Sequence, residues 1–163
     1  MELQLSSPVI LWYLGRVNFL MCAQAQSVGQ GAFITLQPID YTGNTLQQQF
    51  QFGNDGRIYA AGSSAKFCLT YQGSAQNGSQ LVLEPADDSN QTQMWVWNKL
   101  FLENVGASNN QNQIIYVMDD WEQNVSSGNK IQIWQSNGGL AQFWAPVLVQ
   151  AFTINLVSQA RAR

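Results

Sequence analysis

The run Ile131-Gln132-Ile133-Trp134-Gln135-Ser136-Asn137-Gly138-Gly139-Leu140-Ala141-Gln142-Phe143-Trp144 carries two landmarks that each return twice more in the chain. Its closing tripeptide, Gln142-Phe143-Trp144, is preceded by Gln93-Met94-Trp95 and by Gln48-Gln49-Phe50, at spacings of 49 and 45 residues. Its opening apolar alternation has counterparts in Leu81-Val82-Leu83 and Phe33-Ile34-Thr35-Leu36. Measured between Leu36, Leu83 and Ile133, those spacings are 47 and 50. A third, strand-like landmark comes earlier each time: Phe19-Leu20-Met21-Cys22, Phe67-Cys68-Leu69-Thr70 and Ile115-Tyr116-Val117-Met118. Three landmarks in one order, three times over, mark an internal repeat of about 45–50 residues.

Between the landmarks lie turn residues. Gly53-Asn54-Asp55-Gly56, Gly73-Ser74, Asn77-Gly78, Ser127-Gly128-Asn129 and Asn137-Gly138-Gly139 supply left-handed or hairpin turns. The apolar runs they bound are short and rich in Ile, Val, Tyr, Phe and Trp, which reads as about four strands per repeat. No segment shows a helical stripe over three turns. The expected fold class is therefore all-β. Closing such repeats into a barrel with a hairpin cap removes the free edges that strands would otherwise present. One domain over residues 1–163 is expected, with repeats near 8–50, 51–97 and 98–150 and a short C-terminal tail. The last dozen residues, ending Arg161-Ala162-Arg163, read as a closing strand and a frayed tail.

Composition narrows the chemistry. The chain has 163 residues, with 22 Gln and 14 Asn against 17 charged residues, and it has no His. Without His there is no imidazole base, no Ser-His or Cys-His pair and no His-ligated zinc. A net charge of −3 argues against a surface that tracks nucleic-acid phosphates. Amide-rich segments can signal disorder, but 45% apolar and 12% aromatic residues are enough to build a core. The longest apolar run, Pro8 to Gly15, is shorter than the ~18 residues of a membrane helix, so no membrane insertion is expected. Glu2 stands where a secretory leader would be basic, so the expected location is cytoplasmic, or outside the cell by a non-classical route. Cys22 and Cys68 are 46 residues apart, near one place in two repeats, and read as two buried free thiols.

Taken together, the repeats resemble the ricin B-chain type of β-trefoil lectin, whose signature is a Q-x-W near the end of each repeat. The resemblance spans roughly residues 8 to 150. Gly53-Asn54-Asp55-Gly56-Arg57-Ile58 followed by Lys66-Phe67-Cys68-Leu69-Thr70 is similar to that family's passage between repeats, and residues 131–144 are the closest stretch. The first repeat departs from the pattern with Phe50 in place of Trp. Equivalent aromatics in three repeats are what a threefold core needs, so Phe50, Trp95 and Trp144 read as packing residues, with Gln48, Gln93 and Gln142 satisfying nearby backbone groups.

The resemblance implies a different set for ligand binding: an Asp after the third landmark, a Gln and an aromatic in the alternating strand, and a closing Asn-Gln. In the third repeat these are Asp119, Gln132 and Trp134, with Gln142 as the closing Gln. Asp119 precedes Gln132 by 13 residues, which matches the family's spacing. Ala141 replaces the Asn, with Asn137 in the preceding turn as its candidate substitute. Trp121 and Asp120, in the adjacent loop, would widen the site. The other repeats lack the set: Thr70, Val82 and Glu84 in the second, and Cys22, Thr35 and Gln37 in the first. A plainer reading also stands, in which Asp119-Asp120 forms an Asx turn and Trp134 packs on Trp121 or a partner chain.

Catalysis is not expected. Asp87-Asp88 and Asp119-Asp120 are sequence neighbours and read as turn dipeptides rather than a hydrolase pair. Gly138-Gly139 opens no helix and precedes no GK[ST], so no phosphate loop is present. No metal or cofactor is expected either. What the resemblance implies is a lectin for neutral glycans, with terminal galactose or N-acetylgalactosamine, through one main site in the third repeat. Its partners would be glycans or glycoproteins, with a homodimer or a toxin or enzyme partner supplying avidity. The alternative is a protein-interaction module, such as a protease inhibitor or toxin-complex subunit, because fold alone does not fix function.

Overall fold

A computed structural model describes residues 6–150. The expected tail, residues 152–163, lies outside the described residues. Twelve strands run in chain order: β1 Val9–Tyr13, β2 Met21–Ala25, β3 Ile34–Pro38, β4 Phe50–Phe52, β5 Ile58–Ala60, β6 Phe67–Tyr71, β7 Ser79–Pro85, β8 Trp95–Asn98, β9 Phe101–Asn104, β10 Tyr116–Asp120, β11 Ile131–Gln135 and β12 Trp144–Leu148. They form three sets of four. Among the described residues no helix is long and apolar enough to cross a membrane.

The first and last strands of each set build a closed ring. β1 pairs with β12 from Val9↔Leu148 to Tyr13↔Trp144, and with β4 at Val9↔Phe50. β4 continues to β5, and β8 to β9. The remaining gaps are bridged by backbone bonds from Trp95 N to the Gly56 carbonyl (2.8 Å) and from Trp144 N to the Leu100 carbonyl (3.0 Å). The middle strands of each set form the hairpins β2–β3, β6–β7 and β10–β11, each with five residue pairs.

Each hairpin tip grips the third strand of another repeat. Gly31 N donates to the Leu83 carbonyl, Gly78 N to the Ile133 carbonyl and Gly128 N to the Leu36 carbonyl. The contacts run in a circle, so every repeat is locked to both others. At all three positions the glycine has a positive φ (74°, 94° and 86°), which a side chain would resist. A six-strand ring capped by three cyclically interlocked hairpins is a β-trefoil.

The Q-x-W residues supply its core. Phe50, Trp95 and Trp144 are buried, and the Trp144 ring lies 5.0 Å from that of Tyr13. The indole N–H of Trp95 donates to the Leu69 carbonyl (2.9 Å), and that of Trp144 to the Met118 carbonyl (3.1 Å). Phe50 carries no donor to satisfy, so the first repeat needs no such acceptor. The glutamines are buried too. Gln48 accepts from Asp40 N and donates to the Pro38 carbonyl; Gln93 accepts from Asp87 N and donates to the Pro85 carbonyl; Gln142 accepts from Asn137 N and donates to the Gln135 carbonyl. In each repeat one amide pins the chain as it leaves the third strand.

Two details correct the reading of the first repeat. Phe19 and Leu20 are not strand residues. They end a 3₁₀ turn, Leu20 has φ +50°, and the two side chains are 54% and 43% exposed. Register also moves the position equivalent to Asp119. Asp119 faces Gln132, Thr70 faces Val82, and in the first repeat Gln24, not Cys22, faces Thr35. The first hairpin is two residues shorter, 11 residues from Gln24 to Thr35 against 13 from Asp119 to Gln132, so a uniform spacing lands two residues early. Cys22 instead matches Cys68, and both are buried free thiols.

The core assignment is testable by urea unfolding. Phe50→Ala should lose about 3–5 kcal/mol. Phe19→Ser should change stability by no more than about 0.5 kcal/mol. A large loss at Phe19 would contradict the corrected first repeat.

Candidate functional site

Asp119 and Asp120 end β10, and strand alternation sends them to opposite faces. Asp119 meets its cross-strand partner: Gln132 Nε2 donates to Oδ1 at 2.9 Å. Gln142 Nε2 donates to Oδ2 at 3.3 Å, so both oxygens are held by amides. Burial pushes the Asp119 pKa upward, against these two hydrogen bonds and the more distant charge of Lys130. Each carboxylate oxygen has a second acceptor direction left for a ligand.

This carboxylate lines a cavity of about 310 Å³. Gln132 and Trp134, two apart on β11, share one face of the strand and both line it; Trp134 is half-buried. Asn137 contributes from the following turn, and Ala141 presents only a methyl group. Gln142 is fully buried and does not line the cavity; it acts through Asp119.

The opposite wall is the turn Trp121–Gln123, which packs against the turn Leu140–Gln142. Trp121, Glu122 and Gln123 all line the cavity. Glu122 and Gln123 have φ of +57° and +53°, left-handed for residues that ordinarily avoid that region at a cost of about 1–3 kcal/mol each. The surroundings hold the turn in place. Trp121 N donates to the Lys130 carbonyl, and Asn129 Nδ2 donates to the Trp121 carbonyl at 2.8 Å. Sequence reading missed Glu122 and Gln123 because no glycine marks the left-handed pair.

Asp120 is not brought to the cavity. Its side chain is fully buried, and Oδ1 accepts from the same Asn129 Nδ2 at 2.7 Å. Through Asn129 it supports the Trp121 carbonyl, which makes it a brace for the wall. The Tyr13 hydroxyl is the other polar group set beside this carboxylate. Burial raises the Asp120 pKa to about 7 against the opposing hydrogen bonds of Asn129 and Tyr13, and the Asp119 charge adds to the rise. Lys130 is the nearby cation, but its ammonium lies over the Trp121 ring (5.3 Å) and donates to the Gly78 carbonyl. The arrangement is an acidic cup with a tryptophan on each side, one carboxylate oriented by two amides, and Asp120 turned away from it.

The signature of the ricin-type beta-trefoil lectin domain matches residues 14–144. The chain belongs to that family. No curated protein matches it. Among solved structures, the lectin domain is similar to the C-half of an earthworm R-type lectin solved with GalNAc, at 13% identity and a TM-score of 0.70, over 87% of this chain and 98% of that one. It is similar to the β-trefoil lectin of Vibrio vulnificus hemolysin/cytolysin, solved with N-acetyl-D-lactosamine, at 18% identity and 0.65, over 87% and 94%. It also resembles the agglutinin of Abrus precatorius at 22% identity and 0.68, over 86% and 46%. At these identities the likeness is one of fold.

The brace predicts a pH response. The Asp120 carboxyl ionises near 4 in an unfolded chain but near 7 when folded, so the stability it contributes is full below about pH 4 and is lost as pH rises through about 7. Asp120→Asn keeps the oxygen that accepts from Asn129 and removes the titration. Melting temperatures of the two proteins should diverge in favour of the variant between about pH 4 and pH 8. Parallel curves would contradict the upward-shifted ionisation of Asp120.

Proposed function

We propose that this lectin domain binds neutral glycans reversibly, with terminal galactose or N-acetylgalactosamine, through one main site in the third repeat. The observation that carries the reading is Asp119, buried, oriented by Gln132 and Gln142, and opening into a cavity beside the Trp134 ring. A pyranose presents hydroxyls in fixed directions and one C–H face. Asp119 accepts from the hydroxyls, and Trp134 covers the face. Asn137 and Trp121 extend the contact from either side. The GalNAc in the earthworm lectin complex and the N-acetyl-D-lactosamine in the Vibrio complex support a galactose-type ligand.

The other repeats give no second copy. Gln24, Thr35 and Gln37 occupy the equivalent places in the first, and Thr70, Val82 and Glu84 in the second. A lone site of this kind binds weakly, so useful affinity comes from several copies, through a homodimer or attachment to a toxin or enzyme. The hemolysin/cytolysin origin of the Vibrio domain and the mosquitocidal holotoxin among similar structures fit the toxin arrangement. The same loss of two sites favours the second reading, a protein-interaction module, which a protease-inhibition panel would reveal.

Titration calorimetry with galactose, N-acetylgalactosamine and lactose tests the site. Asp119→Ala and Trp134→Ala should each weaken binding at least about tenfold, the loss expected when a charge-assisted hydrogen bond or an aromatic platform is removed. Glycan binding left intact in both variants would overturn the assignment.

A further inference from the structure

We propose that Asn137 is a self-modifying residue: its side-chain amide is placed for attack by the Gly138 backbone nitrogen, which turns a residue of the cavity wall into aspartate or isoaspartate. The chain contains two Asn-Gly dipeptides, Asn77-Gly78 and Asn137-Gly138. Both asparagines are exposed, so exposure does not separate them. Hydrogen bonding does.

At Asn137 the attacking nitrogen is unengaged and the carboxamide stays within its own turn. The Gly138 N–H has no hydrogen-bond partner among the described residues. Nothing lies within 4 Å of the point where a Gly138 side chain would begin. The Asn137 carboxamide folds back along the chain, and its Oδ1 accepts from Gly139 N at 2.7 Å. A Cβ at Gly139 would stand 2.8 Å from that oxygen and 3.7 Å from Cγ. The Gly139 bond keeps the carboxamide folded over its own turn, the turn that contains the Gly138 peptide.

At Asn77 both groups are committed elsewhere. Gly78 N donates to the Ile133 carbonyl at 3.0 Å, one of the three bonds that interlock the repeats. Asn77 Oδ1 accepts from Gln135 N at 2.7 Å, which pulls the carboxamide across to β11. Attack there requires the hairpin tip to come away from its neighbour first.

The reaction balances without an oxidant or cofactor. Gly138 N gives its proton to solvent base and bonds to Asn137 Cγ, and Nδ2 takes up a proton and leaves as ammonia. Water then opens the resulting succinimide. Cleavage of the new N–Cγ bond yields aspartate. Cleavage at the main-chain carbonyl yields isoaspartate, whose backbone runs through Cγ and is one methylene longer. Either product adds a carboxylate to a wall that already holds Asp119 and Glu122. Isoaspartate also strains the bond from Asn137 N to Gln142 Oε1, and so the amide that orients Asp119. On the reading of this cavity as the glycan site, modification closes the site with time.

The test ages the purified chain at mildly alkaline pH and follows both Asn-Gly peptides by mass spectrometry. Asn137 should convert at least about tenfold faster than Asn77, the difference made by one retained backbone hydrogen bond. Asn137→Gln should abolish the change at that position. Equal rates, or Asn77 ahead, would overturn the proposal. Passing the aged sample over immobilised galactose separates the two claims. A retained fraction rich in intact Asn137, with modified chains in the flow-through, supports the coupling; co-elution of both forms on the column overturns it. Faster conversion at Asn137 in a chain that never binds galactose upholds the modification and overturns the glycan reading.

Discussion

A buried glutamine amide at the end of each repeat carries most of the architecture. Gln142 shows what one such group does. Its oxygen takes the Asn137 N–H, its nitrogen reaches the Gln135 carbonyl, and the same nitrogen touches the Asp119 carboxylate. An amide donor and acceptor on one short side chain can close a turn from both sides, which a carboxylate or an ammonium cannot. With Trp144 two residues on sealing the core beneath it, the amide is shielded from water, and its bonds are worth keeping. The same lattice that defines the fold therefore aims the acceptor of the candidate site.

The three repeats share this lattice and differ in what else the amide meets. In the first it meets Gln24 at 2.8 Å, a neutral partner that offers no charge to a ligand. In the second the Gln93 oxygen is shared with Arg57, a buried guanidinium that also bonds Asp55 and the Asp87 carbonyl. That repeat has turned its polar residues inward, where the Arg57 charge is balanced rather than presented. Among the described residues, the third repeat is the one that places a carboxylate against this amide, and that carboxylate lines a cavity. The interlocked hairpin tips make this division of labour possible, because each repeat is held by its neighbours and can lose a site without losing its shape.

How much of this was legible from sequence depends on the range of the interaction. The Q-x-W residues are legible because they recur at near-constant spacing, whereas the Asp119–Gln132 pair comes from the family resemblance, and strand register explains why the two side chains meet. The first repeat departs from uniform spacing because its hairpin is two residues shorter, a length difference that register exposes. Asp120 looked like a site residue because it adjoins Asp119, yet alternation turns adjacent strand residues apart. Glu122 and Gln123 were invisible for a different reason. Their left-handed backbone has no glycine to announce it and is sustained by Asn129 and Lys130, residues of the returning arm of the hairpin.

One carboxylate, aimed by two buried amides, is the proposed single sugar site of this threefold scaffold. A crystal structure of the chain grown with N-acetylgalactosamine or lactose tests it most directly. The account predicts one sugar per chain, its ring against Trp134 and its hydroxyls on Asp119, with nothing bound at the Gln24 or Thr70 positions. A sugar seated in the first or second repeat, or density on Asp119 that leaves Trp134 uncovered, would contradict it.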